Sequence, residues 1–166
     1  MKKWTFTLRT LGLLTGGLLL TGSASAALQN YPGASCVSAS STPLTVFSAG
    51  DAGNVSASTM TLVCPIVRDM STFSTGNASG AIWVLDEHFT ANVCCSSQVL
   101  DPIGSLHATA SQCTTGSGTV TGLSFSGPVW TGTFGARSYM CTLPPQFASG
   151  TTLNTSTVRA YRSGEL

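Results

Sequence analysis

The densest polar group in the sequence is Asp86-Glu87-His88, in "VLDEHF". A histidine beside carboxylates is the equipment of a general base, and two or three such side chains can hold a metal ion. His107, in "SLHATA", shares the outer face of an expected strand with Ser105 and Thr109. Two histidines at unrelated distances do not make a ligand pattern, so the sequence predicts no metal site. Asp86 and Asp101 are the acids that could pair for glycosidic cleavage, but nothing places them on facing elements. "GLSFSG", Gly122 to Gly127, is not the G-x-S-x-G turn of a serine nucleophile. No set of nucleophile, base and stabiliser assembles, and the reading is of a protein without catalysis or cofactor. Asp86 and His88 stay as ligand-facing candidates, because they end a strand and enter a turn.

Aromatic side chains offer a different chemistry, since flat exposed rings stack on sugars. Trp130 follows Gly127-Pro128-Val129, where a strand would start, and it is the first candidate for such a role. Tyr161, in "STVRAYR", is the second, although a sheet position also suits it. Trp83 lies inside the apolar run "AIWVL" and is expected in the core.

The ends and the charge bound the partners. Lys2, Lys3 and Arg9 precede the apolar run Leu11 to Leu20, and Ala24-Ser25-Ala26 is a small-residue cleavage pattern. The expectation is a signal peptide over residues 1–26 and one mature domain over 27–166. A run of about ten residues is too short to span a bilayer. From Ala27 onward four arginines face six carboxylates, a net of −2, and no lysine remains. Phosphate-binding surfaces need clustered cations, so nucleic acid is excluded as an expected partner, and so is a membrane once the signal is removed. Ser and Thr make up 40 of those 140 residues. Hydroxyls, not charges, keep this surface in water.

All six cysteines, Cys36, Cys64, Cys94, Cys95, Cys113 and Cys141, fall in the exported part. An even number in a small secreted chain reads as disulfides, and the close-spaced pairs of a zinc site are absent. Cys94 and Cys95 are neighbours, and a bond between them would fight the ~3.8 Å separation of adjacent Cα atoms. Alternation along a strand sends them to opposite faces, each to its own partner. The expected pairs are Cys36 with Cys64, Cys95 with Cys113, and Cys94 with Cys141.

Strands must position all of these residues, since helical periodicity is nearly absent after the signal. "TMTLVCPIV" puts Met60, Leu62, Cys64 and Ile66 on one face. "GAIWVLD" is dense enough for a central strand. "SLHATA", "TVTGLSFS", "VWTGTFG", "SYMCTL" and "STVRAYR" supply further short strands, punctuated by Gly, Ser and Pro clusters.

Asn54, "CPIVRD" from Cys64 to Asp69, Asp86 and "CTLP" from Cys141 to Pro144 together give a pattern. It resembles uncharacterised small secreted bacterial β-rich proteins with C-P-x-x-R-D and C-x-L-P motifs. The resemblance implies export and a disulfide-braced β fold, and it transfers no functional site. "NVS", "NAS" and "NTS" at Asn54, Asn77 and Asn154 match a glycosylation pattern that such Ser/Thr content produces by chance.

The expected fold is all-β, a single antiparallel β-sandwich of jelly-roll or immunoglobulin-like type braced by disulfides. The expected protein is secreted, extracellular or periplasmic, and non-enzymatic. Its specificity would lie in the loops around Thr72–Gly80, Asp86–Thr90 and Ser111–Gly118. The partner expected is a surface glycan, another protein, or further copies of the chain. A glycan-binding module would need Trp130 or Tyr161 exposed on a flat face. A strand-exchanging, pilin-like fibre subunit would need a free extended N-terminus around Ala27–Ala34.

Overall fold

The computed structural model describes residues 28–67, 79–100, 105–116, 118–126 and 136–164. The alternating run Met60–Ile66 is a strand, and its Met60, Leu62, Cys64 and Ile66 are all buried. The same rule of two makes Ser79–Asp86 a strand with Ile82, Val84 and Asp86 turned inward. In chain order the strands are β1 (Gln29–Pro32), β2 (Val37–Ser38), β3 (Thr45–Val46), β4 (Ala52–Gly53), β5 (Met60–Ile66), β6 (Ser79–Asp86) and β7 (Cys94–Leu100). They continue with β8 (Leu106–Cys113), β9 (Thr119–Ser126), β10 (Ala136–Leu143), β11 (Phe147–Ser149), β12 (Thr152–Asn154) and β13 (Thr157–Gly164).

Two antiparallel sheets form. The first runs β3-β4-β13-β6-β9, with β1 also paired to β13, and the second runs β2-β5-β10-β7-β8. The long strands alternate between the sheets: β5 in the second, β6 in the first, β7 and β8 in the second, β9 in the first, β10 in the second and β13 in the first. That alternation is the jelly-roll arrangement, which decides between the two sandwich types expected. A small hairpin, β11 with β12, stands apart from both sheets.

The core lies between the sheets and is filled by Met60, Leu62, Ile82, Val84, Leu123, Phe125, Tyr139, Leu143, Val158 and Tyr161. Two tyrosines tie its layers. Tyr139 of β10 donates its hydroxyl to the Arg162 carbonyl of β13 at 3.0 Å, and Tyr161 of β13 donates to the Pro65 carbonyl of β5 at 2.9 Å. Arg137 is also buried, and its guanidinium donates to Ser97 of the second sheet and to Ser163 and the Ser79 carbonyl of the first.

Three disulfides brace this frame. Cys36–Cys64 fastens the segment after a single 3-10 turn (Gly33–Ser35) to β5, as expected. The other two correct the expectation: Cys94 bonds Cys113, and Cys95 bonds Cys141. Facing decides it. Cys141 alternates with buried Tyr139 and Leu143, so it points inward, as Cys95 does, and the two lie directly opposite in the β7–β10 register. Cys94 points outward and lies opposite exposed Cys113 in the β7–β8 register. The neighbouring cysteines do leave one strand for opposite faces and different partners. Cross-braces in three places, with no free cysteine, are the covalent chemistry of an oxidising compartment.

Candidate functional site

Asp86 is not a solvated turn residue. It is fully buried, and four donors reach its carboxylate. The backbone N–H of His88 donates to Oδ1 at 3.0 Å and that of Val93 to Oδ2 at 3.1 Å. The hydroxyls of Thr114 and Ser156 supply the rest, the latter at 3.3 Å. This carboxylate gathers the loop after β6, the turn after β8 and the residue before β13 into one knot. Its lone pairs are spent on the fold, which removes it from the ligand-facing candidates. A buried ionised group survives only with such a full set of partners.

His88 is half-buried, and its Nδ1 accepts the backbone N–H groups of Thr90 and Ala91 at 3.2 and 3.0 Å. That pattern requires the proton on Nε2, so Nδ1 is closed to base chemistry. The ring packs on Phe147, which also meets Phe89 edge-on at 5.4 Å. His88 is thus a loop-former with an aromatic neighbour.

Tyr161 is fully buried, stacked on Tyr31 at 4.9 Å and edge-on to Tyr139, so it offers no flat face to a ligand. Trp130, Asp101, Arg68 and Asp69 lie outside the described residues, as do residues 1–27, most of the 72–80 loop and the side chain of His107. Trp83 corrects the core expectation. Ile82 and Val84 take the inner face of β6, so Trp83 stands on the outer face of the first sheet. Its indole lies against Gly122, where a Cβ would come within 3.2 Å of Nε1, and Arg162 lies over the ring at 5.1 Å. Asn54 is fully buried too, donating to the carbonyls of Ser58 and Pro144, and no glycan could reach it.

The outer face of the first sheet also carries a pocket of about 360 Å³, lined by Phe47, Asp51, Leu85, Glu87, Leu153, Asn154, Thr155, Thr157 and Arg159. Three features of the chain build it. The turn between β3 and β4 is closed by Phe47 and Asp51, whose backbones bond at 2.9 Å, with Gly50 in the left-handed conformation at φ 82°. Gly53 clears the space that the Phe47 ring fills, since a Cβ there would approach the ring to 2.7 Å. A bulge in β13 between Val158 and Ala160 makes Arg159 the extra residue. Bulges re-aim side chains in this way, and Arg159 reaches Asp51, Nε to Oδ2, at 3.5 Å.

Thr157 is the unusual member. It sits between Gly53 of β4 and Leu85 of β6, neither of which carries a polar side chain. Its Oγ1 is buried, and among the described residues it is the one buried side-chain polar atom without a hydrogen-bond partner. A buried hydroxyl left so costs about 1–3 kcal/mol. The fold carries that cost in β13, beneath the pocket lining.

No protein-family model matches the chain, and no curated protein sequence does. Its fold is similar to that of the enzymatically active domain of bacteriophage CBA120 tailspike protein 4. The TM-score is 0.50 at 8% identity, over 86% of this chain and 20% of that one. This chain therefore spans a fifth of the tailspike domain's length, and the likeness is one of fold alone. The apo structure of BiXyn10A CBM1 overlaps 83% of this chain and 97% of its own at 10% identity, with a TM-score of 0.33, too loose to carry an argument.

Sequence reasoning missed the pocket because its members come from residues 47–51, 85–87 and 153–159. One signal pointed there. In a chain so poor in charge, Asp51 and Arg159 are two of only ten formal charges after the signal region, and neither lies in the charged "DEH" group.

Proposed function

We propose that the protein is an exported, disulfide-braced recognition domain without catalytic chemistry, and that the pocket on the outer face of the first sheet is its binding site. The observation that carries this is the lining: Asp51, Arg159, Asn154 and Thr155 surround a concavity that also presents Phe47, Leu85 and Leu153, a few polar groups set among apolar ones as binding sites have them. The volume is at the low end of small-molecule sites, ~300–1,000 Å³. The groups best suited to catalysis are otherwise engaged, since Asp86 holds loops together and His88 Nδ1 caps one. Export fits the three disulfides and the signal-like N-terminus. The fibre reading is disfavoured, because β1 is already paired to β13 and leaves no free extended N-terminus at residues 29–32.

A crystallographic fragment screen on the mature, oxidised protein tests the reading. Fragments seated between Phe47 and Arg159, with a polar atom on the Arg159 guanidinium or the Asp51 carboxylate, are the expected result. Hits clustered elsewhere, with this pocket holding only water, would refute it.

A further inference from the structure

We infer that the ligand of this pocket is a neutral, hydroxyl-rich molecule, a sugar residue of a glycan chain; the inference rests on the pocket being the recognition site.

The lining sets four requirements. Asp51 and Glu87 accept hydrogen bonds, Arg159 donates them, and Asn154 and Thr155 do both. The Asp51–Arg159 contact uses Nε and Oδ2, so both Nη groups and Oδ1 keep hydrogen-bonding capacity. A matching ligand must therefore present donors and acceptors side by side, as vicinal hydroxyls do. Phe47, Leu85 and Leu153 ask at the same time for an apolar face, which the axial C–H groups of a pyranose supply.

Charge narrows the class. Two carboxylates against one guanidinium leave the lining at −1, which repels phosphate, sulfate and uronate groups. Arg159 already partners Asp51, so a cationic ligand would find one carboxylate facing it with an arginine beside it.

Topology argues against a peptide. Extended peptides bind sheets by adding a strand at an unpaired edge. Around this pocket the backbone of β13 is paired on both sides, to β4 at Thr157–Val158 and to β6 along its length. Recognition over β13 therefore runs through side chains, and the side chains offered are those that read hydroxyls.

The test is calorimetric titration of the mature, oxidised protein with neutral hexasaccharides of β-1,4-linked glucose, β-1,4-linked xylose and α-1,4-linked glucose, and with the anionic hexamer of galacturonic acid. The expected result is saturable binding of at least one neutral hexamer and none of the anionic one. Arg159→Ala and Asn154→Ala should each weaken that binding at least tenfold. Asp51→Asn, which keeps shape and removes the charge, should raise affinity for the galacturonate hexamer relative to the parent protein. If no neutral hexamer binds while uncharged non-sugar fragments occupy the pocket in crystals, the sugar class is wrong and the site stands. If a hexamer binds Arg159→Ala and Asn154→Ala as tightly as the parent protein, the site itself is wrong.

Discussion

Tyr139 and Tyr161 meet edge-on at 6.0 Å in the centre of the core, and each sends its hydroxyl to a carbonyl of the opposite sheet. The pair is a two-way strut between the layers, which the buried Arg137 guanidinium also bridges. Because both rings come from central strands, the strut also fixes the height of the first sheet, on whose other side the pocket lies.

The strut gives the fold an alkaline limit. Burial, reinforced by the neighbouring Tyr31, pushes the Tyr161 hydroxyl up to about 12, and burial also raises that of Tyr139 against the pull of Arg137 and Arg162. An unfolded tyrosine loses its proton near 10, so above that pH the unfolded chain binds fewer protons than the native one. The contribution is complete below pH ~10 and falls as pH climbs toward 12. Urea midpoints measured from pH 8 to 11 should decline above pH 10. In Tyr161→Phe the unfolding free energy should start lower, by about 1 kcal/mol for the lost hydrogen bond, and the midpoints should decline less steeply. Parallel curves for the two proteins would contradict the assignment.

The disulfides should separate by exposure. Cys113 is exposed and Cys94 half-buried, whereas Cys95 and Cys141 are in the core. Mild reductant on the native protein should open Cys94–Cys113 first and leave Cys95–Cys141 intact until unfolding, as alkylation and peptide mapping would read. Removing a bridge should cost about 3 kcal/mol for the 19-residue separation of Cys94–Cys113 and about 4 for the 46-residue separation of Cys95–Cys141. Mapped peptides joining Cys95 to Cys113 would overturn the pairing.

Asp86 should be intolerant of its amide. In Asp86→Asn one oxygen becomes an N–H₂ facing donors from His88 and Ser156 or from Val93 and Thr114. At least one buried donor then loses its acceptor, at a cost of about 2–3 kcal/mol. Chemical denaturation reads this directly, and a loss under 1 kcal/mol would mean that the knot is looser than its geometry.

Thr157→Val should do the opposite. The swap keeps the shape of the side chain and removes the unpartnered hydroxyl, so the free protein should gain about 1 kcal/mol. Destabilisation would show that Oγ1 is satisfied in the free protein.

Much of the scaffold was legible in the sequence, and the reason is period two. β5 and β6 follow from their own residues, and "SYMCTL" already places Cys141 on the face of Tyr139 and Leu143. The disulfide exchange arose in "CCSSQVL", where both faces carry small polar residues and neither declares itself as the core side. Trp83 was misplaced because a dense apolar run hides which of its alternate positions looks outward. Asp86 was misread because its partners, Thr114 and Ser156, are 28 and 70 residues away. The pocket was illegible for the same reason, compounded by a bulge at Arg159 that alternation cannot announce.

The most direct measurement is an amide chemical-shift map of the ¹⁵N-labelled mature protein, titrated with whichever neutral hexasaccharide binds in the calorimeter. The account predicts shifts gathered at residues 47–53, 85–87 and 153–159, with β7, β8 and β10 unmoved. Shifts confined to the outer face of the second sheet, or to the Trp83–Arg162 stack with the pocket silent, would contradict it.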